Sequence, residues 1–459
     1  LLVGLLLVVA ALAVYSVTYV ERYYDHFVWQ AAAFLEGHAA IRYPVAAAGS
    51  SQGNAFFQDV LPIATNDGVA RGLLPFPPLP AVVLLPFVAL WGVATNDQAI
   101  FTILAAIDVA ICWWAIGRLP IGPAVRLGTT IFFAFGTVFW YTAQLSTTWY
   151  QAHVVAVGLC FLAIGLAVRA DPAAVDGEPR AWTPDRATRR HLAGALAIDP
   201  GQFVVGLLFG LACTARPTVV LGAPFFVLVG AGGDWRRRAW SAGLGAALPI
   251  LALLVYTVAT TGQVVSPAYD RLYRLETAGY PTLGYHADWG IEDPRYLPQN
   301  LGIGLLGTPD LLPATLPDSL AIRRTAVCTD PAAVRGLFDV TCPLAVPRDI
   351  GMSVLLTSPA YLLAIPILGR FRRSRVVAGA LIAVVGIATV DLMHFSQGWV
   401  QFGYRFSNDA APFAIVLVAL GFERLATRRR WGMLSAMVLV VLSLAINLWG
   451  ILWSRLLAW

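Results

Sequence analysis

"LLVGLLLVVAALAVYSVTYVERYYDHFVWQAAAFLEGH", residues 1–38, decides the class of fold. Residues 1–20 carry no charge and are long enough to cross the hydrocarbon core of a bilayer. Residues 21–38 then gather Glu21, Arg22, Asp25 and His26 among Tyr23, Tyr24, Phe27 and Trp29. The span lacks a basic n-region and an A-x-A-like cleavage site, so it reads as an anchor rather than a signal peptide. The chain opens on Leu1 rather than Met, so its natural start is expected upstream. The bias runs through all 459 residues: only 12% are charged, where soluble domains carry about 25%. With a mean hydropathy of +0.70, the expectation is an all-α polytopic membrane protein.

All 31 basic residues are arginine, and their placement speaks to topology rather than to nucleic acid, despite the net charge of +5. Apolar runs suggest about 11 transmembrane helices, near 1–20, 99–117, 127–143, 151–169, 202–215, 217–232, 241–260, 352–369, 376–395, 411–426 and 431–453. With the N-terminus inside, the arginines at 118 and 126, 189–190, 236–238, 370–375 and 428–430 all face the cytoplasm. "LPFPPLPAVVLLPFVALWG" (74–92) would break that parity as a span, and its five prolines favour a juxtamembrane or re-entrant helix on the outer face. The expected organisation is therefore a first span (1–20), an outer catalytic segment with juxtamembrane helices (21–98), spans two to seven (99–260), a large mixed outer loop (261–351) and spans eight to eleven (352–459). Short outer loops fall at 144–150 and 396–410. Cys328 and Cys342 could close a loop of about 15 residues by a disulfide worth roughly 3 kcal/mol. Cys112, Cys160 and Cys213 fall in helices and read as small apolar residues. No internal repeat of the kind that marks many secondary transporters is evident.

Four polar constellations interrupt the apolar text. If 21–36 is helical, Glu21, Asp25 and Trp29 share a face; two carboxylates on one turn suit a general base or a cation site, while an interfacial amphipathic helix is the plainer reading. In "LLFGLACTARPTVVLGAPFFVL" (207–228), Arg216 stands between two short apolar runs. There it either meets an anionic ligand or snorkels to the headgroups. "DLMHFSQGWVQFGYRFSNDAAPF" (391–413) packs Asp391, His394, Tyr404, Arg405, Asn408 and Asp409 around a short outer loop, as a site or as a solvated loop with a local Arg–Asp pair. "AQLSTTWYQAHVV" (143–155) adds Gln144, Trp149, Gln151 and His153 at another helix mouth. Asp108 lies inside the second helix with no partner that spacing names. There is no P-loop, no G-x-G-x-x-G after a strand, no H-E-x-x-H and no C-x-x-C pair, which argues against a nucleotide-driven cytosolic enzyme.

Taken in order, "ERYYDHFVWQAAAFLEG", "PFPPLPAVVLLPFVALWG", "GLLFGLACTARPTVVLGAPFF" and "GWVQFGYRFSNDAAPF" resemble the polytopic GT-C glycosyltransferases, in the branch of protein O-mannosyltransferases and the lipid A aminoarabinose transferase. The resemblance implies a GT-C-like bundle in the plasma (inner) membrane with its active site on the extracytoplasmic face. Such a protein takes a sugar from a polyprenyl-phosphate donor and passes it to a glycan, lipid or protein acceptor, among membrane lipids and without nucleic acid. Asp25 occupies the family's acidic position after the first helix, with Glu21 and His26 beside it. Arg216 and Arg405, with Tyr404, are the matching candidates for the carrier phosphate. Asp59, Trp149, His153, His394 and Asp409 complete the candidate substrate contacts.

Two departures stand out. Asp25-His26 replaces an Asp-Glu pair, and 144–150 lacks a second acid, with His153 the nearest polar substitute. No cofactor is called for, and a divalent metal (Mg or Mn) is left open. The acceptor hydroxyl must lose a proton as it attacks C1, and arginines can meet the charge of the departing phosphate. Direct displacement with inversion is the simplest course, although Glu21, Asp59 and Asp67 could serve a retaining one. An O-antigen-type ligase using Arg271, Arg274, His286 and Arg323 of the large loop is the alternative enzyme. A lipid or solute transporter is the alternative class.

Overall fold

A computed structural model describes residues 2–21, 24–42, 59–63, 71–176, 197–279, 286, 288–319, 321, 323–396, 398 and 400–459. Arg22, Tyr23, Asp67, Arg189 and Arg190, named above, lie outside the described residues. Helix α1 (Leu2–Thr18) is uncharged and ends where the Thr18 hydroxyl turns back onto the Val14 carbonyl, 3.0 Å away. The next helix does not begin at Glu21. It is α2 (His26–Leu35), opened by the Asp25 carbonyl accepting from the Trp29 amide at 3.0 Å. The Asp25 carboxylate does not cap the first-turn amides. Glu21 is therefore outside the helix and exposed, and the expected row of Glu21, Asp25 and Trp29 on one face does not form. Helix α3 (Leu79–Trp91) follows the proline run and packs on α2. A small antiparallel sheet, β1 (Ile41–Arg42), β2 (Leu61–Ile63) and β3 (Arg71–Leu73), has the order β1-β3-β2, with Ile41 and Pro62 both opposite Gly72.

The bundle proper starts at α4 (Asp97–Ile116), where the Asn96 side chain accepts from the Ala99 amide at 2.9 Å. The segment expected as one helix at 127–143 is two, α5 (Pro123–Phe135) and α6 (Phe139–Leu145), bent by 51°. Thr137 causes the break: its hydroxyl donates to the Phe133 carbonyl (2.8 Å) and accepts from the Phe139 amide (3.2 Å), replacing backbone partners. Helix α7 (Thr148–Ala170) is the most enclosed span and packs against α4, α8 (Pro200–Ala215) and, later in the chain, Ser407–Arg428. After α8 the chain tightens into a 3-10 turn, Pro217–Gly222, and then α9 (Ala223–Leu228), because Pro217 and Pro224 withhold amide donors. Helix α10 (Trp235–Thr261) crosses α8 at glycine. A Cβ on Gly206 would sit 2.0 Å from the Ala242 carbonyl oxygen, and one on Gly245 2.1 Å from that of Phe203.

Between 262 and 353 lie α11 (Ala268–Gly279), α12 (Leu297–Leu306) and two small antiparallel pairs. These are β4 (Asp310–Leu311) with β7 (Ala345–Val346), and β5 (Thr315–Pro317) with β6 (Arg324–Ala326). Cys328 and Cys342 are joined as a disulfide. The expected helix at 352–369 is short pieces, Val354–Thr357, Pro359–Ala364 and Ile365–Leu368, interrupted at Pro359 and Pro366. Helices α13 (Arg375–Met393), α14 (Ser407–Arg428) and α15 (Gly432–Leu456) complete the chain.

Six helices among the described residues are long and apolar enough to cross a membrane, α4, α7, α10, α13, α14 and α15, and the bent α5–α6 pair makes a seventh. The chain is a mostly helical, multi-pass membrane protein. The expected count of about 11 is not reached by length, since Leu2–Thr18, Pro200–Ala215, Pro217–Leu228 and Pro359–Leu368 are apolar but short. One end of the bundle is locked by a buried ion cluster. There Asp171 accepts from Arg375 at 2.7 and 2.9 Å, with Arg238 at 3.9 Å and the Leu228 carbonyl 2.6 Å from Arg375. The opposite end carries Asp25, the large loop and the side chains described next.

Candidate active site

Asp409, in the first turn of α14, is the hub of the deepest polar cluster. Its carboxylate accepts from Arg216 Nε at 3.0 and 2.9 Å, Arg216 Nη2 at 2.7 Å, Thr218 Oγ1 at 2.7 Å and His153 Nδ1 at 2.7 Å. The side chains of Asp409 and His153 are wholly buried, whereas Arg216 keeps 20% of its side chain exposed. A carboxylate only accepts here, so His153 carries its proton on Nδ1. Its Nε2 is buried without a hydrogen-bond partner. Asp391, buried on α13, lies within electrostatic reach of Asp409 and Arg216. The local Arg405–Asp409 pair that the short loop allowed does not form. Asp409 instead reaches Arg216, 193 positions away.

That leaves Arg405 differently placed. Its guanidinium lies 5.5 Å from the Tyr150 ring and 5.3 Å from the Phe406 ring, over which Arg216 also sits at 5.3 Å. Among the described residues Arg405 has no carboxylate partner, and its Nε is buried without a hydrogen bond. Tyr404 is occupied elsewhere: its hydroxyl donates to the Asp391 carbonyl at 3.1 Å, so its one proton is spent inside the fold.

Asp25 is half-buried at the start of α2, and its carboxylate has neither hydrogen bond nor ion pair among the described residues. Burial pushes its carboxyl above the ordinary value of 3.8. His26 beside it is buried, with Nδ1 2.8 Å from Thr148 Oγ1. The Thr148 hydroxyl spends its single proton on the Tyr24 carbonyl (3.0 Å), so His26 Nδ1 is the donor. Trp149 donates its indole N–H to Asp59 and meets Tyr24 edge-on at 4.7 Å and His26 at 5.8 Å.

A row of rings joins the two groups. His26 contacts Phe76 (6.5 Å), Phe76 contacts Tyr269 (6.3 Å), Tyr269 contacts His394 (5.7 Å), and His394 contacts Phe406 (5.5 Å) between the two arginines. His394 is fixed from both sides, by Glu292 at 3.2 Å on Nδ1 and the Tyr269 hydroxyl at 3.1 Å on Nε2. Burial lowers its pKa below the ordinary imidazole value.

Asp97 was absent from the sequence candidates and belongs here. Gln151 Nε2 donates to it at 2.6 Å, the Gln98 amide at 2.8 Å, and it lies within electrostatic reach of Asp25. In "NDQA" it reads only as the acidic first turn of a helix, which hid it. Among the described residues no three His, Cys, Asp or Glu side chains converge as a metal site. Asp108 leaves Oδ2 without a partner and presses Oδ1 against Gly158, where a Cβ would be 2.1 Å away. In the large loop, Arg274 is paired with Asp270 (2.7 Å), His286 stacks on Trp289 (4.1 Å), and Arg271 and Arg323 are exposed.

No protein-family description and no curated protein matches the chain. Among solved structures it is similar to the crystal structure of the Archaeoglobus fulgidus oligosaccharyltransferase tethered through a disulfide to an acceptor peptide containing the NVT sequon. The TM-score is 0.42 at 11% identity, over 97% of this chain and 55% of that one. The chain thus spans about half the length of that protein, and at this score the likeness transfers neither activity nor substrate.

Proposed function

We propose that the chain is a membrane glycosyltransferase that moves a sugar from a polyprenyl-phosphate carrier to an extracytoplasmic acceptor. The observation that carries this reading is Arg405: a guanidinium within 5.5 Å of two ring centres and, among the described residues, with no carboxylate to neutralise it, at the same end of the bundle as a half-buried Asp25 that has no partner among those residues. One unmatched cation suits one phosphate charge, and its planar fork of donors suits phosphate oxygens. Arg216 contributes only its exposed edge, since Nε and Nη2 are held by Asp409. In the reaction, Asp25 takes the acceptor hydroxyl proton as the acceptor oxygen bonds to C1. The bond from C1 to the phosphate oxygen breaks, and the polyprenyl phosphate leaves with its charge met by arginine. The rings from Tyr24 to Phe406 offer stacking faces to a sugar between these poles.

The test uses the full chain in nanodiscs with synthetic polyprenyl phosphate, the leaving group, as probe. Arg405→Ala is expected to weaken binding at least about tenfold, the loss of one charge-assisted contact. Equal binding by both proteins overturns the assignment. With a polyprenyl-phosphate sugar as donor, an inverted product anomer is expected, and a retained one overturns the single displacement.

A further inference from the structure

One buried hydroxyl holds the residues on either side of Asp25. Thr148, in the first turn of α7, accepts from His26 Nδ1 at 2.8 Å and donates to the Tyr24 carbonyl at 3.0 Å. Thr148 and His26 are both buried, so water does not compete for the bond between them. The Asp25 carbonyl is fixed in turn by the Trp29 amide at 3.0 Å. The backbone that carries Asp25 is thus tied on both sides, and its carboxylate takes part in none of these bonds. Helical threonines commonly turn the hydroxyl back to the carbonyl one turn earlier, as Thr130, Thr257 and Thr357 do at 2.9 Å each. Thr148 instead reaches residues 122 and 124 positions away.

The same turn of α7 meets the other groups of the site. Trp149 donates to Asp59 and lies 4.7 Å from the Tyr24 ring and 5.8 Å from that of His26. Tyr150 presents its ring to Arg405 at 5.5 Å, and Gln151 donates to Asp97 at 2.6 Å. A helical turn is rigid, so one element sets the surroundings of Asp25 and of Arg405 together. We infer that Thr148 is the positioning residue of Asp25, holding its carboxylate in place relative to Arg405 and partly shielded from water. The inference rests on Asp25 being the base of the proposed reaction. The other ionisable groups around this corner are Tyr19, Glu21 and Tyr24 of the connector, His26 of α2, Asp59, and Asp97 of α4. Of their side chains only that of His26 bonds to Thr148, so loss of the hydroxyl acts on Asp25 through its backbone and its burial.

The test reads the Asp25 carboxyl in the full chain in nanodiscs. Dicyclohexylcarbodiimide reacts with a protonated carboxyl, and mass spectrometry gives the pH at which half of Asp25 is modified. In the unsubstituted chain that midpoint is expected above 3.8. Thr148→Val keeps the shape and removes both bonds; the midpoint is expected to fall by about half a pH unit or more as water reaches the carboxyl, and Thr148→Ser is expected to restore it. Thr129→Val, at a buried hydroxyl with no hydrogen-bond partner among the described residues, should change nothing. An unchanged midpoint in Thr148→Val, or a fall that Thr148→Ser shares in full, overturns the inference. If Thr148→Val does not fold, ¹⁵N-histidine spectra of the unsubstituted chain give a second reading. His26, assigned by the signal that His26→Gln removes, is expected as the Nδ1–H tautomer, and the Nε2–H tautomer overturns the inference. No sugar donor takes part in either measurement. A lowered midpoint with full turnover of a polyprenyl-phosphate sugar would remove Asp25 from the chemistry and leave Thr148 as its anchor.

Discussion

At the scale of single residues, Asp25 and Asp409 are carboxylates with opposite fortunes, and substitutions separate them. Asp25 has no partner among the described residues and burial raises its pKa, so the folded chain holds that proton more tightly than the unfolded one. Its charge is thus a cost that grows as pH rises from 3.8 through the raised value. Asp25→Asn removes the cost along with the base. Turnover is expected to fall by about 10²–10⁴ while the melting temperature at neutral pH holds or rises, and the acid limb of the wild-type rate profile should lie above an ordinary aspartate's. Unchanged turnover would remove Asp25 from the chemistry.

Asp409 behaves in reverse. Asp409→Ala leaves Arg216 and the His153 N–H without an acceptor in a buried site, and about 3–5 kcal/mol of stability should go with it. Asp409→Leu combined with Arg216→Met should recover part of that by thermal unfolding in the same detergent; a stable single variant would show the pair to be dispensable. Arg216, His153 and Asp409 were each legible as polar residues in apolar text. Their union was not, because a contact spanning 193 positions leaves no local spacing. Asp97 stayed hidden for the converse reason: an acid at a helix start already has a sufficient local explanation.

At the scale of elements, α8 and α10 meet more closely than side chains permit. Gly206 and Gly210 lie one turn apart on α8, and a Cβ on Gly210 would sit 2.5 Å from the Ala246 Cα. This small-xxx-small spacing lets helix backbones touch. Gly206→Ile is expected to cost about 1–3 kcal/mol or more by overpacking. It should also weaken polyprenyl phosphate binding, because Arg216 caps the C-terminus of α8 and moves with it. Gly243→Ile, on α10 with open space around its Cβ position, is the matched control; equal effects from both would sink the close-crossing account.

The legibility of the elements follows the same physics. Apolar runs located the helices long enough to cross a membrane, because burial in lipid or protein demands them, but not α11 or α12 of the large loop. The bend after Phe135, the 3-10 turn after Arg216 and the pieces between 354 and 368 arise from proline and hydroxyl competition for backbone bonds, which hydropathy does not register. Likewise, α2 starts at His26 rather than Glu21, a difference of more than one turn that dissolved the expected pairing of Glu21 with Asp25.

At the scale of the whole molecule, the two ends differ in charge and in cysteine chemistry, and the proposed reaction depends on which of them faces outward. Arginines at 236–238, 370–375 and 428–430 gather where α10, α13 and α15 begin, the end locked by Asp171. Asp25 and the Cys328–Cys342 disulfide belong to the other end, tied to it by Tyr269 against Phe76 and by Arg455 on the Val17 carbonyl at 3.2 Å. Arginine-rich connections stay in the cytoplasm, and disulfides persist in oxidising compartments, so two independent rules support the proposed extracytoplasmic site. Thr325 and Arg372 are exposed at opposite ends, and the native cysteines are buried or bonded, which makes the chain a quiet background for thiol labelling. In intact cells a membrane-impermeant maleimide is expected to label Thr325→Cys and to reach Arg372→Cys only after permeabilisation. The reverse pattern would put Asp25 and Arg405 in the cytoplasm, where the acceptor could not be extracytoplasmic, and would overturn the proposed reaction at the level of the whole chain.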